Sequence, residues 1–231
     1  MKTRSRIWML PLLFSGARLA FSAPVFADIE VQAIEAWNRQ TTLRAAIRLE
    51  TEIMGILVSG EGQVAVMRAD GMDKYRQELT LRIPEPMAIE AALQAVFDGE
   101  SLHLTRAMLD EKQAIQTEPG LEDAPPPPGG PLLFEWLRSQ YTVTAVEDGE
   151  LAGRGVWDID CTPKDTASRA QPLRLSCDKE TGLALRFEFA ANDEAAAVTI
   201  SITGIEIGPT LNPAAFVVPP PAAAEESARE P

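Results

Sequence analysis

The sequence predicts a mainly β chain of the α+β class, folded as an incomplete antiparallel β-barrel. Apolar and polar side chains alternate over many segments, which is typical of antiparallel strands with one buried and one solvated face. No regular strand–helix–strand rhythm runs along the chain, which disfavours a parallel sheet. One short and almost wholly apolar helix is expected at 131–137, and such a helix must cover an apolar surface. We therefore expect about 11 strands, with an N-terminal helix and a short lid helix enclosing an apolar cavity.

The N-terminus has the three-part organisation of a secretory signal peptide. Basic residues come first, an apolar run follows over 7–17, and Ala27 ends a compact cleavage sequence. The apolar run is too short to cross a bilayer as a helix. We expect removal of residues 1–27 on export, a single domain over 28–218, and a disordered, acidic and proline-rich tail over 219–231.

The composition excludes some classes of partner. Acidic residues outnumber basic ones, 34 to 21, and the formal net charge is −13. The predicted signal peptide contains basic residues and no acidic one, so the exported chain is more acidic still. Nucleic acid and anionic lipid headgroups are disfavoured because both are bound through basic clusters. The acidic surface is expected to keep the protein soluble and monomeric.

The first helix is predicted over 28–38, with Asp28 as its N-cap. Val31, Ile34 and Trp37 recur at every third position and are expected to form its apolar face. Alternation then predicts a first group of strands at 43–50, 62–68, 74–83, 101–106 and 112–117.

Two segments between these strands and the lid helix are less regular. Residues 89–97 fit both a helix and a strand, and the Asp98-Gly99 turn after them favours a hairpin. The acidic, proline-rich loop over 118–130 is expected to be mobile.

A second group of strands follows the lid helix. It is predicted at 141–147, 154–161, 173–178, 183–189 and 197–207. Turns are expected at Asp148-Gly149 and over 179–182, and an apolar tab is expected at 216–218.

Cys161 and Cys177 are the only cysteines in the chain. An even number of cysteines in an exported protein favours a disulfide, which would add about 3 kcal/mol of stability for a loop of this length. The alternative is a pair of buried thiols. Their spacing fits neither a zinc site nor a redox motif.

The search for catalytic chemistry is mostly negative. His103 is the only histidine, and a metal centre would need further histidine or cysteine ligands. The sequence contains none of the common nucleophile, zinc-protease, phosphate-binding or dinucleotide-binding motifs. Asp158 and Asp160 share one strand face, but paired carboxylates in water are commonplace. We expect no enzyme activity, no metal and no cofactor.

The lid helix and one arginine are the candidate binding residues. Leu132, Leu133 and Trp136 crowd two helical turns, and the alternative to a movable lid is an ordinary core helix that caps one end of the barrel. Arg68 ends a strand on its apolar face, where it would need lid carbonyls or a carboxylate as acceptors. The alternative is that the strand ends at Met67 and Arg68 reaches water.

The order of these parts resembles the LolA-type periplasmic carriers of outer-membrane lipoproteins. The resemblance runs over nearly the whole exported chain. It rests on the N-terminal helix, SGEGQVAVMR, Tyr75-Arg76, Phe97-Asp98-Gly99, PLLFEWL, Thr162-Pro163-Lys164 and GPTLNPAAFVVPP, in that order.

The resemblance implies a hydrophobic cavity that receives acyl chains. By position, Arg68 resembles the family's arginine that holds the lid closed, and Tyr75 resembles an aromatic residue lining the cavity near it. The implied partners are acylated lipoproteins or other lipids, an inner-membrane donor and an outer-membrane acceptor. A 16-carbon chain needs shielding of about 12 kcal/mol to cross water, at about 0.8 kcal/mol per methylene.

Two functions follow as hypotheses. The first is a periplasmic carrier, or chaperone, that moves lipidated cargo toward the outer membrane. The second is a sensor or scaffold that uses the same fold to bind lipid or protein without transport. An acid–base hydrolase that uses Asp158 or Asp160 is disfavoured.

Overall fold

The computed structural model describes residues 25–53, 55–69, 71–85, 88–108, 111–117, 126–165, 171–191 and 196–217. In chain order, the elements are α1 (Phe26–Asn38), β1 (Thr42–Ile53), β2 (Ile56–Ala69), β3 (Met72–Ile83), β4 (Ile89–Phe97), β5 (Leu102–Met108), β6 (Glu111–Thr117), α2 (Gly130–Gln140), β7 (Tyr141–Leu151), β8 (Arg154–Pro163), β9 (Leu173–Asp178), β10 (Ala184–Phe189), β11 (Val198–Ile207) and a 3-10 helix (Pro213–Phe216). Residues 1–24 of the signal peptide predicted over 1–27 lie outside the described residues, whereas its last two residues, Phe26 and Ala27, begin α1. The predicted tail also lies outside the described residues, so cleavage and tail disorder stay predictions.

All the described strands belong to one antiparallel sheet, in the order β6-β5-β4-β3-β2-β1-β11-β10-β9-β8-β7. Strands that are neighbours in the sheet are also neighbours in sequence, except where β1 pairs with β11 and joins the two halves of the chain. Within this sheet, β6 and β7 are the two edges and do not pair with each other. The predicted incomplete barrel with two helices is therefore confirmed. Among the described helices, none has the length and apolar character needed to span a bilayer.

The helices cover one face of the sheet, called the inner face here. Leu43 lies opposite Val66, Val66 lies opposite Tyr75, and Tyr75 lies opposite Phe97. Directly opposed residues project to the same side of a sheet. Trp37 of α1 packs in one apolar cluster with these side chains. A second cluster packs both helices against β8, β9 and β10.

Helix α1 forms as predicted, but two details of the prediction are wrong. Ile29 and Ala33 are fully buried, whereas Val31 is 56% exposed. Positions i and i+4 share one side of a helix with about 3.6 residues per turn, and a strict three-residue repeat drifts away from that side. The N-cap residue is Val25, and Asp28 lies within the first turn.

The segment before α2 is packed where the structure describes it, which corrects the expected mobile loop. Pro127 and Pro128 are buried. The carbonyl of Pro128 accepts a 2.8 Å hydrogen bond from the backbone N–H of Ala184. Residues 118–125 lie outside the described part of the chain. The ambiguous segment 89–97 is strand β4.

The hairpin between β7 and β8 turns later than predicted. Asp148 and Gly149 pair with Trp157 and Val156 inside the ladder. The turn falls at Ala152-Gly153, where φ is 53° and 78°. A two-residue turn of type I′ needs positive φ at both positions, and its twist matches that of the flanking strands.

The predicted disulfide is wrong, because both cysteines are free and buried. In the β8–β9 ladder, Cys161 lies opposite Leu173 and Cys177 lies opposite Trp157. The Cα atoms of the two cysteines are therefore about as far apart as those of Trp157 and Cys161 on one strand, which is about 13 Å at about 3.3 Å per residue. A disulfide needs Cα atoms within about 7 Å. The alternative of two buried thiols holds.

The first residue of the predicted apolar tab, Phe216, is the last residue of the 3-10 helix. This helix lies on the outer face of the sheet, opposite the inner face that the two α-helices cover. Phe216 is 1% exposed, whereas Val217 is 64% exposed. Nη1 of Arg76 donates a 2.9 Å hydrogen bond to the carbonyl of Ala215, which fixes the 3-10 helix beside β3. Val218 lies outside the described residues.

Candidate functional site

Arg68 lies on the inner face and is paired with a carboxylate. Arg68 and Asp73 are directly opposite each other across the β2–β3 hairpin. Nε and Nη2 of Arg68 donate to Oδ1 of Asp73 at 2.8 and 2.7 Å. The two side chains are 21% and 15% exposed, so this ion pair is screened less than one on an open surface. Of the two acceptors predicted for an inward arginine, the structure provides the carboxylate.

The same carboxylate holds the first helix. Nε1 of Trp37 donates to Oδ2 of Asp73 at 2.7 Å, and Trp37 is 4% exposed. Its indole packs on Gly129 and Gly130 at the start of α2, where a Cβ on either glycine would overlap the ring. Gly130 also has a φ of +69°, which favours glycine. Trp37 thus contacts the β2–β3 hairpin through Asp73 and the first turn of α2 through its ring.

The start of α2 is also tied to the sheet on two sides. Gly129 forms an isolated antiparallel bridge with Leu183. Nε2 of Gln77, on the inner face of β3, donates a 3.3 Å hydrogen bond to the carbonyl of Pro126. The proline segment therefore crosses the inner face of the sheet before the helix begins.

An open groove lies beside these contacts, between the β2–β3 hairpin, the end of β4 and the first turn of α2. Its volume is about 630 Å³. It is lined by Asn38, Arg68, Gly71, Met72, Asp73, Phe97, Gly99, Pro131 and Leu132. We call this space the Leu132 groove. Met72, Phe97 and Leu132 form an apolar part of the lining, and the Arg68–Asp73 ion pair forms a polar part.

Phe97, the aromatic residue that lines the groove, packs against Tyr75 beneath it. The rings of Tyr75 and Phe97 stack with their centroids 5.5 Å apart. Tyr75 is 4% exposed, and burial raises the pKa of its phenol above the usual value. Tyr75 therefore supports Phe97, which is the aromatic side chain that lines the groove.

Most of α2 belongs to the core. Leu133 and Phe134 are 0% exposed and Leu137 is 1% exposed. Trp136 packs between Tyr141 and Phe187 at centroid distances of 5.4 and 6.4 Å. Only the first turn of α2, with Pro131 and Leu132, lines the groove.

The structure thus brings together some of the five predicted ligand-binding residues. Arg68 and Leu132 line the groove, Tyr75 lies beneath it, and Leu133 and Trp136 lie in the core; a role in binding stays a prediction for each. Sequence reasoning did not assign the other lining residues to a binding site, among them Met72, Asp73 and Phe97. The sequence does contain a signal for Asp73: a tight turn at Gly71 between two strands places Asp73 directly opposite Arg68.

The carboxylates singled out in the sequence have structural partners. Oδ1 of Asp158 accepts a 2.6 Å hydrogen bond from the hydroxyl of Ser176, and Oδ2 lies 3.3 Å from Nη2 of Arg174. Asp160 lies 3.8 Å from Arg174. Within the described residues, no group of histidine, cysteine and acidic side chains has the geometry of a metal site.

Comparison with known proteins gives a likeness of fold. No family model matches the chain, and no curated protein matches it. Among solved structures, an uncharacterized conserved protein from Thermus thermophilus is 13% identical with a TM-score of 0.51, covering 86% of this chain and 97% of that one. This likeness shows a shared fold.

Two further solved structures are similar at lower TM-scores. MucB, in its complex with MucA from Pseudomonas aeruginosa, is 16% identical with a TM-score of 0.48, covering 84% of this chain and 62% of that one. A LolA superfamily protein from Nitrosomonas europaea is 12% identical with a TM-score of 0.37, covering 85% and 99%. The chain thus spans about 62% of the MucB chains that it matches. The fold that the resemblance implied, an open antiparallel sheet with two covering helices, is confirmed.

Proposed function

We propose that the protein is a periplasmic carrier that binds the acyl chains of lipoproteins or of similar lipidated cargo and moves them toward the outer membrane. The observation that carries the proposal is the Leu132 groove. Its volume of about 630 Å³ lies within the range of about 300–1,000 Å³ that is usual for ligand sites. Leu132, Phe97 and Met72 offer an apolar surface next to a polar one.

The apolar surface continues down the inner face of the sheet. Leu79 and Leu93 lie directly opposite each other, on the same side as Tyr75 and Phe97, and both are only partly buried. An acyl chain that entered over Leu132 could therefore extend along β3 and β4. Each methylene removed from water would contribute about 0.8 kcal/mol.

Release of cargo needs a part that can move at modest cost. Displacing all of α2 would expose Leu133, Phe134 and Leu137, at about 1.5–3 kcal/mol for each side chain. Movement of only the first turn and of the β2–β3 hairpin would expose far less apolar surface. We therefore assign gating to this first turn and hairpin, which the Arg68–Asp73–Trp37 hydrogen bonds hold in the positions described above.

The proposed location follows from the signal peptide predicted over 1–27. Lipidated cargo that leaves one membrane for another must cross water, and an exported binding protein can shield its chains there.

The second candidate is a sensor or scaffold that binds a partner without transport. Its supporting observation is that the Leu132 groove is open to solvent while most of α2 is fixed in the core. Such a groove suits a protein segment with an apolar side chain as well as it suits a lipid.

A transfer assay separates the two functions. The purified protein is loaded with a fluorescent fatty acyl probe and mixed with acceptor vesicles that carry a quencher. A carrier takes up the probe and delivers it. A scaffold leaves the probe in its original vesicles but retains a protein partner in pull-down from periplasmic extract.

A further inference from the structure

The sheet has a gap at the seam between β10 and β11. The ladder between these strands ends at the pair Arg186 and Ser201. Strand β10 nevertheless begins at Ala184, and β11 continues to Ile207, where it still pairs with Leu43 of β1. The neighbouring ladders carry register shifts at this level, and such irregularities bend a strand away from its partner. The two strands therefore separate beyond Arg186.

A cavity of about 230 Å³ occupies this gap. It is lined by Leu151, Ala152, Arg154, Leu185, Arg186, Ser201, Ile202, Thr203, Gly204 and Ile205. We call it the seam cavity. Aliphatic side chains form one part of its wall, and two arginines and two hydroxyl groups form the other.

The two arginines differ in how far their donors are used. Arg154 donates through Nε and Nη2 to Asp178 at 3.0 and 2.8 Å, and through Nη2 to Glu180 at 2.8 Å. Arg186 makes a 3.3 Å contact from Nη1 to Glu188. Its Nε is buried and has no hydrogen-bond partner among the described residues. Buried donors in folded proteins nearly always have a partner, so Arg186 has unused capacity at the cavity.

We propose that the seam cavity binds the carboxylate of a small amphiphile, such as a short free fatty acid. The guanidinium group of Arg186, whose side chain is 37% exposed, donates to the carboxylate, and the hydroxyl of Ser201, the directly opposed neighbour of Arg186, is placed to donate as well. A guanidinium group suits a carboxylate because its planar fork matches the two oxygens. The alkyl part lies against Leu151, Leu185 and Ile205. At about 30 Å³ per water-sized group, the cavity holds roughly eight heavy atoms, the size of hexanoate.

The test uses hexanoate, hexanol and inorganic phosphate as probes of the purified full protein. The Nε–H resonance of Arg186 is followed by ¹⁵N NMR during each titration. The proposal expects a saturable shift with hexanoate, and at least about tenfold weaker effects from hexanol and from phosphate. An equal response to hexanol would reduce the site to an apolar gap. An equal response to phosphate would remove the role of the alkyl part. Either result overturns the proposal, as does the absence of any saturable shift.

Variants test the role of the guanidinium group. Arg186→Met keeps most of the side-chain volume and is expected to weaken hexanoate binding, measured by calorimetry, by at least about tenfold. The matched control is Arg82→Met on β3, because Arg82 also contacts an acid at 3.3 Å, from its Nε to Glu90, and is 64% exposed. The control should bind like the wild type. If Arg186→Met does not fold, the resonance titration of the wild type still decides the question.

This proposal is independent of the Leu132 groove. The seam cavity shares no lining residue with the groove. Leu132→Asn should therefore leave hexanoate binding at the seam unchanged, and binding that is lost in this variant would assign hexanoate to the groove and overturn the proposal.

Discussion

Nε1 of Trp37 donates a 2.7 Å hydrogen bond to Asp73, which joins the first helix to the hairpin between β2 and β3. Asp73 also binds Arg68 through its other oxygen. The indole in turn packs against Gly129 and Gly130 at the start of α2. One carboxylate thus fixes the positions of a helix, a hairpin and, through the indole, the turn that borders the Leu132 groove.

Replacing Asp73 with asparagine should destabilise the protein. The amide would keep one acceptor but would remove the charge that pairs with Arg68, and we expect a loss of about 1–3 kcal/mol in the free energy of unfolding. Urea titration measures it. The control is Asp148→Asn, whose carboxylate is 69% exposed and pairs with Lys179. Equal effects of the two substitutions would show that the buried network adds nothing.

Arg68→Leu should change cargo release more than folding. The Asp73 carboxylate keeps its hydrogen bond from Trp37, so the free energy of unfolding should fall by only about 1–2 kcal/mol. We expect the bound acyl probe to dissociate faster, as stopped-flow mixing with acceptor vesicles would show. The matched control is Arg48→Leu on the outer face. A variant that simply unfolds, or that releases the probe at the wild-type rate, would contradict the gating role of Arg68.

Gly130→Ala should be much more harmful than Gly71→Ala. Both glycines have positive φ, +69° and +77°, but only Gly130 lies against the Trp37 ring, and a Cβ at Gly71 meets nothing within 4 Å. The strain of positive φ should cost about 1 kcal/mol in each variant, and overpacking should add about 1–3 kcal/mol for Gly130→Ala. Thermal unfolding compares the two. Equal melting temperatures would show that the indole can move aside freely.

The two buried thiols should make the protein less stable at high pH. Burial raises the pKa of Cys161 and of Cys177 to about 12, so the folded state keeps these protons while the unfolded chain loses them above about pH 8.5. Stability should therefore fall as pH rises from about 9 to 12, by up to about 1.4 kcal/mol per pH unit for each thiol.

Urea titrations at pH 8, 9 and 10 measure this effect. The double variant Cys161→Ala and Cys177→Ala should show a shallower pH dependence, even though its stability at pH 8 is lower. Parallel curves for the wild type and the variant would contradict the assignment to the thiols.

Much of the fold could be predicted because period-two alternation is a local property. Leu43, Ala45 and Ile47 mark the inner face of β1 without any knowledge of its partners, and the apolar run from Leu132 to Leu137 marks α2 in the same way. The turn at Ala152-Gly153 was missed because Asp148-Gly149 has the more usual turn residues.

The site could be predicted only in part, because its contacts join distant parts of the chain. Arg68 could be predicted from the alternation of inner and outer residues along its strand. Leu132 could be predicted from the dense apolar residues of its helix. The hydrogen bond between Trp37 and Asp73 depends on how α1 crosses the sheet, and no local pattern reports that. The prediction of a disulfide is wrong for a similar reason. The whole β8–β9 hairpin sets the register that keeps Cys161 and Cys177 apart.

The most direct test of the carrier function is mass spectrometry of lipids bound to protein purified from the periplasm of an expressing cell. Three proteins are compared: the wild type, Leu132→Asn, and Leu57→Asn as the control, since Leu57 is 61% exposed. We predict acylated molecules on the wild type and on the control, and at least about a tenfold reduction in Leu132→Asn. A wild-type protein free of acylated molecules, or equal loading of all three proteins, would contradict binding of lipidated cargo in the Leu132 groove.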